Sequence, residues 1–333
     1  MQTNADVEDL LSQPSPADLE FFRRLQGDLL ILGAAGKMGP TLVQRAARAA
    51  EGRTRIYAVS RSNAGYPEGV EHIAADLLNL RDVKALPDVA NIVYLVGRKF
   101  GSTGNEPLTW ATNAIVPAYV GERYAGTGVR VVALSTGNVY PFVPVDSGGA
   151  TESTATAPVG EYAQSALARE RVFQYFAQAA GTPTAIIRLN YAVEPRYGVI
   201  VDLARKILGG EPIDIAMGYV NFIWQGDANS VCLRALEYTL APEARILNLT
   251  GTETHSVRDL AKRIATALAV AEPLFTGEES ATALLSDASE CVRLFGAATV
   301  STDEAIVHVA HWLRQGGSVL DKPTHFEVRS GKF

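Results

Sequence analysis

The chain has 333 residues, 47% of them hydrophobic and 20% charged, a composition that excludes a disordered protein and allows one large domain or two. Its net charge of −6, with no basic block, argues against nucleic acid as the main partner and leaves anionic small molecules open. Two cysteines, Cys232 and Cys291, are too few for a disulfide framework, and five scattered histidines offer no ligand spacing, so no metal is expected.

Residues 1–27 precede the first strand signal. They are acidic and polar rather than basic then apolar, unlike a secretory signal, and no apolar run nears the roughly 20 residues of a membrane helix. A cytoplasmic protein is expected. Ser15-Pro16-Ala17-Asp18 reads as a capped helix start, with proline in the first turn, so this stretch is expected to be a helical extension packed on the body.

From residue 28 the chain alternates. Runs rich in β-formers at 29–32, 55–59, 71–74, 91–96, 130–134 and 184–188 are separated by helical stretches such as 39–50, 109–125 and 162–180. Apolar strands alternating with helices predict βαβ units, and hence an α/β protein with a doubly wound parallel sheet over residues 28–190. Beyond residue 190 the rhythm loosens into helices at 201–209, 227–239 and 256–269, which suits a smaller substrate domain over 191–333, with some segments returning to the core.

The first strand runs into Gly33-Ala34-Ala35-Gly36-Lys37-Met38-Gly39. Glycines at this spacing, after a strand and opening a helix, allow a tight turn and close backbone approach to a pyrophosphate, with the helix N-terminus facing the phosphates. Gly33, Gly36, Lys37, Met38 and Gly39 are therefore assigned to a nicotinamide dinucleotide. The second strand ends in Ser60-Arg61, with no acid to grip a ribose diol, so the 2′-phosphate of NADP is expected in preference to NAD. Asp76 and Leu77, after the third strand, are placed to meet the adenine; Asp76 also reads as a helix start.

The order of this glycine motif, Asp76-Leu77, Asn113, Leu134-Ser135-Thr136-Gly137-Asn138-Val139-Tyr140 and Tyr162 resembles the extended short-chain dehydrogenase/reductases. Within them it is most similar to the NAD(P)-dependent epimerase/dehydratase group acting on nucleotide sugars, a Rossmann fold. The likeness continues through Gly210-Glu211-Pro212-Ile213, the segment Phe222 to Asp227, Leu247 to Gly251 and His311-Trp312, covering about residues 28 to 315.

The resemblance implies catalysis by Thr136 and Tyr162, the tyrosine also meeting the cofactor, and a substrate contact at Asn190. Arg196 and Tyr197 are further candidates for a substrate anion or ring, each with a surface-loop alternative, and Trp224 is either packing or a stacking platform. A homodimer is the family default.

One departure stands out. The family places lysine four residues after the tyrosine, and here Ala166 stands there. A free tyrosine titrates near pH 10, so lowering it by about three units takes roughly 4 kcal/mol, part of which a nearby ammonium supplies. Arg98, Lys99 and Arg169 are the candidate replacements, each with the alternative of a solvated surface charge. The expected function is reversible hydride transfer on a sugar or nucleotide sugar, as oxidoreductase or isomerase. The alternative is a catalytically impaired cofactor-binding sensor or regulatory protein on the same fold.

Overall fold

In the computed structural model, which describes residues 1–332, seven strands form one parallel sheet. They are β1 Leu29–Leu32, β2 Ile56–Ser60, β3 Val70–Ala74, β4 Asn91–Tyr94, β5 Arg130–Thr136, β6 Thr184–Leu189 and β7 Arg245–Leu249. Their order, β7-β6-β5-β4-β1-β2-β3, reverses beside β1, so a crevice opens at the carboxyl ends of β1 and β4. All residues of β1 and β4 are buried, as expected of strands covered on both faces. The seventh strand, absent from the six read in the sequence, pairs with β6 from Arg245↔Ala185 to Leu249↔Leu189.

Two helices, not one, precede the sheet. α1 (Asn4–Ser12) and α2 (Pro16–Arg24) each begin with a capping box, Thr3 with Asp6 and Ser15 with Asp18. They pack on α3 (Gly39–Ala50), where buried Asp18 accepts from Arg45 at 2.6 Å and from Ser230 at 2.6 Å. The short α4 (Leu80–Lys84) follows β3. The helix between β4 and β5 is interrupted: α5 (Glu106–Trp110) passes through a π-turn at Ala111–Ile115 into α6 (Val116–Tyr124). The long α7 (Gly160–Ala180) ends at Gly181, whose φ is 66°.

Beyond β6, α8 (Val199–Gly209), α10 (Val257–Leu268) and α12 (Thr302–Arg314) pack around a second apolar core with Val220, Phe222 and Phe326. α9 (Gln225–Arg234) lies against α3, and α11 (Ser289–Phe295) against β7. The last segment returns across this unit: Leu320 donates to the Arg196 carbonyl at 3.0 Å, and Thr324 donates from its N–H and hydroxyl to Asp202 at 2.8 and 2.6 Å. Among the described residues no helix is long and apolar enough to cross a membrane.

Candidate functional site

The glycine turn shapes the crevice. Gly33 has φ 84° and a Cβ there would stand 3.0 Å from the Val96 nitrogen, while one on Gly39 would collide with the Ala34 carbonyl. α3 starts at Gly39, so its free N–H groups and positive dipole end face the crevice. From the turn the crevice runs both ways. One arm, about 490 Å³, is lined by Gly33, Ser60, Arg61, Asp76 and Leu77. The other, about 300 Å³, is lined by Met38, Thr136, Tyr162 and Tyr197. Gly36, Leu95, Gly97 and Lys99 border both arms, which makes a continuous trough suited to an extended dinucleotide.

At the first arm, the Ser60 hydroxyl is drawn inward. It lies 2.7 Å from the Ser62 carbonyl, 2.9 Å from the Tyr66 hydroxyl and 3.1 Å from His72 Nε2. Arg61 is exposed beside it, and no acid ends β2. Asp76 faces the arm, yet also organises α4: its carboxylate accepts from the Leu78 N–H at 3.1 Å.

At the second arm the reacting groups gather. Thr136 ends β5, where its hydroxyl donates to Asn138 Oδ1 at 2.9 Å and accepts from the Asn138 N–H at 3.2 Å. Tyr162, in the first turn of α7, is hydrogen-bonded to the Thr136 side chain. Ser165 joins the Tyr162 carbonyl at 2.9 Å to Asn113, whose amide also clamps the Arg98 backbone at 2.8 and 3.1 Å. The π-turn is what presents Asn113 there.

Ala166 does not border the crevice. It is fully buried with Val139, Tyr140 and Ala150. Of the three cations the sequence offers in place of the missing lysine, Arg98 turns to the Gly101 carbonyl at 3.0 Å. The other two come to the tyrosine. Arg169 is buried, donates to the Leu134 carbonyl at 2.6 Å and borders the same cavity. The Lys99 ammonium lies 6.0 Å from the ring centres of both Tyr162 and Tyr191 and donates to the Thr324 carbonyl at 3.0 Å. Burial raises the Tyr162 phenol above its usual range, while the Arg169 charge and the Thr136 hydrogen bond pull it back.

Beneath Thr136, Ser135 donates to buried Glu170 at 2.5 Å, and Glu170 accepts from Arg188 at 2.7 Å. Arg188 also donates to the Tyr140 hydroxyl, which donates on to Asn248 of β7, each at 2.8 Å. The strand carrying Thr136 is thereby tied to β6, β7 and α7.

Two residues expected on the substrate side are committed elsewhere. The Asn190 amide is buried and donates to Asn221 Oδ1 at 2.7 Å and to the Leu284 carbonyl at 3.3 Å. Arg196 is held by Glu194 at 3.1 Å and by Glu8 of α1 at 3.3 Å, bracing the N-terminal helix. Tyr197 does border the cavity, and Trp224 is a packing residue, buried with its ring centre 5.5 Å from that of His308.

Three residues of the cavity were not assigned there from sequence. The Lys37 side chain leaves the glycine turn, donates to the Ala192 carbonyl at 3.1 Å and sits 3.9 Å over the Tyr197 ring. Its signal was a charged residue inside a glycine motif. Tyr191 and Lys322 complete the wall, and only the fold brings them there. Burial holds Lys37 down to about 7 and Lys99 to about 8. Among the described residues no cluster of three or more His, Cys, Asp or Glu side chains is placed to hold a metal.

The sequence profile of the NAD dependent epimerase/dehydratase family matches residues 29–249. Among solved structures, MoeE5 in complex with UDP-glucose and NAD is 23% identical, with a TM-score of 0.70 over 87% of this chain and 99% of that one. The UDP-glucose 4-epimerase of Thermus thermophilus, in complex with NAD, is 20% identical, with a TM-score of 0.70 over 86% and 99%. The Bordetella bronchiseptica enzyme WbmG, in complex with NAD and UDP, is 18% identical, with a TM-score of 0.72 over 89% and 97%. At these identities the likeness is one of fold. No curated protein matches the chain.

Proposed function

The chain belongs to the NAD-dependent epimerase/dehydratase family, and from that premise we propose that it is an oxidoreductase or isomerase of a sugar or nucleotide-sugar substrate, with NADP(H) preferred. The observation that carries this reading is the hydrogen-bonded pair Thr136 and Tyr162, facing one cavity with the Arg169 guanidinium. Residues 28–190 would hold the dinucleotide, through the backbone of Gly33, Gly36, Lys37, Met38 and Gly39 and through Arg61, while 191–333 mainly shape the substrate side. When bound, the dinucleotide supplies two-electron oxidation or reduction at a carbinol carbon.

The chain's own residues manage the proton. In reduction Tyr162 donates its phenolic proton to the substrate oxygen, and Thr136 hydrogen-bonds the same oxygen to fix its position. Burial keeps the phenol protonated at neutral pH, which makes it a ready donor. In oxidation the phenolate accepts the carbinol proton, and the Arg169 charge stabilises it where a lysine is missing. Lys99 adds positive charge from the opposite segment.

The alternative, a cofactor-binding protein without turnover, draws on Ala166 being closed into an apolar cluster. Titration with NADPH and with NADH, followed by nicotinamide fluorescence, tests the first step. No binding of either overturns the enzyme reading, and equal affinity overturns the NADP preference. Turnover of a sugar substrate that is lost in Tyr162→Phe then favours the enzyme over the sensor. Exposed Trp110, Ile115 and Tyr175 on the α5–α7 run support a homodimer, which sedimentation equilibrium tests.

A further inference from the structure

Three ammonium groups from three separate segments border the reaction cavity: Lys37 in the glycine turn, Lys99 after β4 and Lys322 in the last segment. Arg169 adds a fourth cation, in a chain whose net charge is −6. Lys37 is buried over an aromatic ring, and the acid it feels is Glu194, whose Oε2 is taken by Arg196. The nearby carboxylates of Asp202 and Glu327 do not border the cavity. Asp202 accepts from Thr324, and Glu327 from Lys206 at 3.4 Å. Gathering like charges out of water costs free energy, which a bound anion returns.

The dinucleotide alone does not account for these charges. Its phosphates belong at the glycine turn and the α3 N-terminus, whereas the Lys37 side chain runs the other way, to Ala192 and Tyr197, and borders only the reaction arm. The room there is small. Beyond Asn138 and Tyr140, Val328 and Gly331 of the last segment line a remnant of about 20 Å³. Arg329 fastens that segment, donating to the Thr282 carbonyl and hydroxyl at 2.7 Å each and lying 4.1 Å over the Phe142 ring.

We propose that the cavity takes a small anionic sugar derivative, one bearing a carboxylate or phosphate that Lys37, Lys99 and Lys322 receive, and not a sugar linked to a nucleotide. The inference rests on Thr136 and Tyr162 handling the carbinol of the same molecule. The anion would bind on the side away from the adenosine arm, which leaves the hydroxyl-bearing carbon facing Tyr162.

The test is calorimetric titration of the full chain, with and without saturating NADP⁺, using D-gluconate, D-glucose 6-phosphate, D-glucose and UDP-glucose as probes. At least one of the two small anions is expected to bind about tenfold or more tighter than glucose and tighter than UDP-glucose, the charge-assisted contacts making the difference. Preference for gluconate identifies a carboxylate, and preference for the phosphate ester a phosphoryl group. Lys37→Met and Lys322→Ala should each weaken that anion by about tenfold while NADP⁺ affinity changes by about twofold or less. Glucose or UDP-glucose binding as tightly as the anions, neither anion binding, or unchanged anion affinity in Lys37→Met would overturn the proposal. Loss of NADP⁺ binding in the parent protein overturns the functional reading instead, so the two failures are separable.

Discussion

Arg169 fills the space that Gly97 leaves open: a Cβ built on Gly97 would stand 3.0 Å from the Arg169 Nη2. The end of β4 and the second turn of α7 past Tyr162 are thus fitted to each other, and the guanidinium is held by the Leu134 carbonyl rather than released to solvent. An opposite charge within about 4–6 Å shifts a titrating group by about 1–3 units. Arg169→Met is therefore expected to cut the oxidation rate about 10- to 1,000-fold and to move its rise with pH upward, because the phenolate then forms only at higher pH. Arg169→Lys should restore part of the rate. A pH profile unmoved by Arg169→Met would remove this residue from the proton step. Gly97→Ala should show the same defect in milder form, since the flexible guanidinium is displaced rather than lost.

Tyr162→Phe deletes the proton donor and leaves the ring. Turnover should fall by about 10²- to 10⁴-fold, the usual worth of a positioned acid or base, while NADPH affinity stays near that of the parent. Steady-state kinetics beside a fluorescence titration would read both quantities.

Ala166→Lys reinstates the family residue in a place that has closed over. The position is fully buried among Val139, Tyr140 and Ala150, so a lysine either buries its ammonium or forces the cluster apart. We expect a stability loss of about 2–5 kcal/mol in urea unfolding and no gain in rate. A stable, faster variant would show that the lysine's absence limits catalysis.

Arg61→Ala should weaken NADPH about tenfold and NADH by about twofold or less, since only the 2′-phosphate meets that cation. Ser60 is expected to contribute little, because its hydroxyl is spent on Ser62, Tyr66 and His72. Paired titrations of the two cofactors measure the difference.

Asp18 gives a prediction for acid stability. Burial pushes its carboxyl up, but the Arg45 charge, with Ser230 and Ser15, outweighs that and leaves it below the usual carboxylate value. A folded value below the unfolded one means the stabilisation is present above about pH 4 and is lost as pH falls through the folded value. Asp18→Asn should cost about 3–5 kcal/mol at neutral pH by stranding Arg45, and should flatten the acid limb of stability against pH. Urea midpoints across that range would show it.

What the sequence disclosed follows from where the partners lie. The glycine turn, Thr136 and Tyr162 were legible because each rests on contiguous residues with a fixed spacing. The seventh strand and the first helix were not, since Arg245–Leu249 is a strand by virtue of β6 and Asn4–Ser12 leans on α3. Asn190 and Arg196 looked available because their partners, Asn221, Leu284 and Glu8, are far away in the chain. Lys37 sat inside a correctly assigned motif, yet its side chain answers to Ala192 and Tyr197. Arg169 was one charge among three until Leu134 and Gly97 singled it out.

The ties running from Ser135 through Glu170, Arg188 and Tyr140 to Asn248 bear on how the molecule can be divided. A fragment ending at Asn190 would contain every group assigned to the dinucleotide, but not the strand that pairs with β6 or the amide that receives the Tyr140 hydroxyl. The half that looks self-sufficient by chemistry is thus incomplete as a body. Transplanting the glycine turn and the Thr136–Tyr162 pair into another scaffold requires residues more than a hundred positions downstream to travel with them.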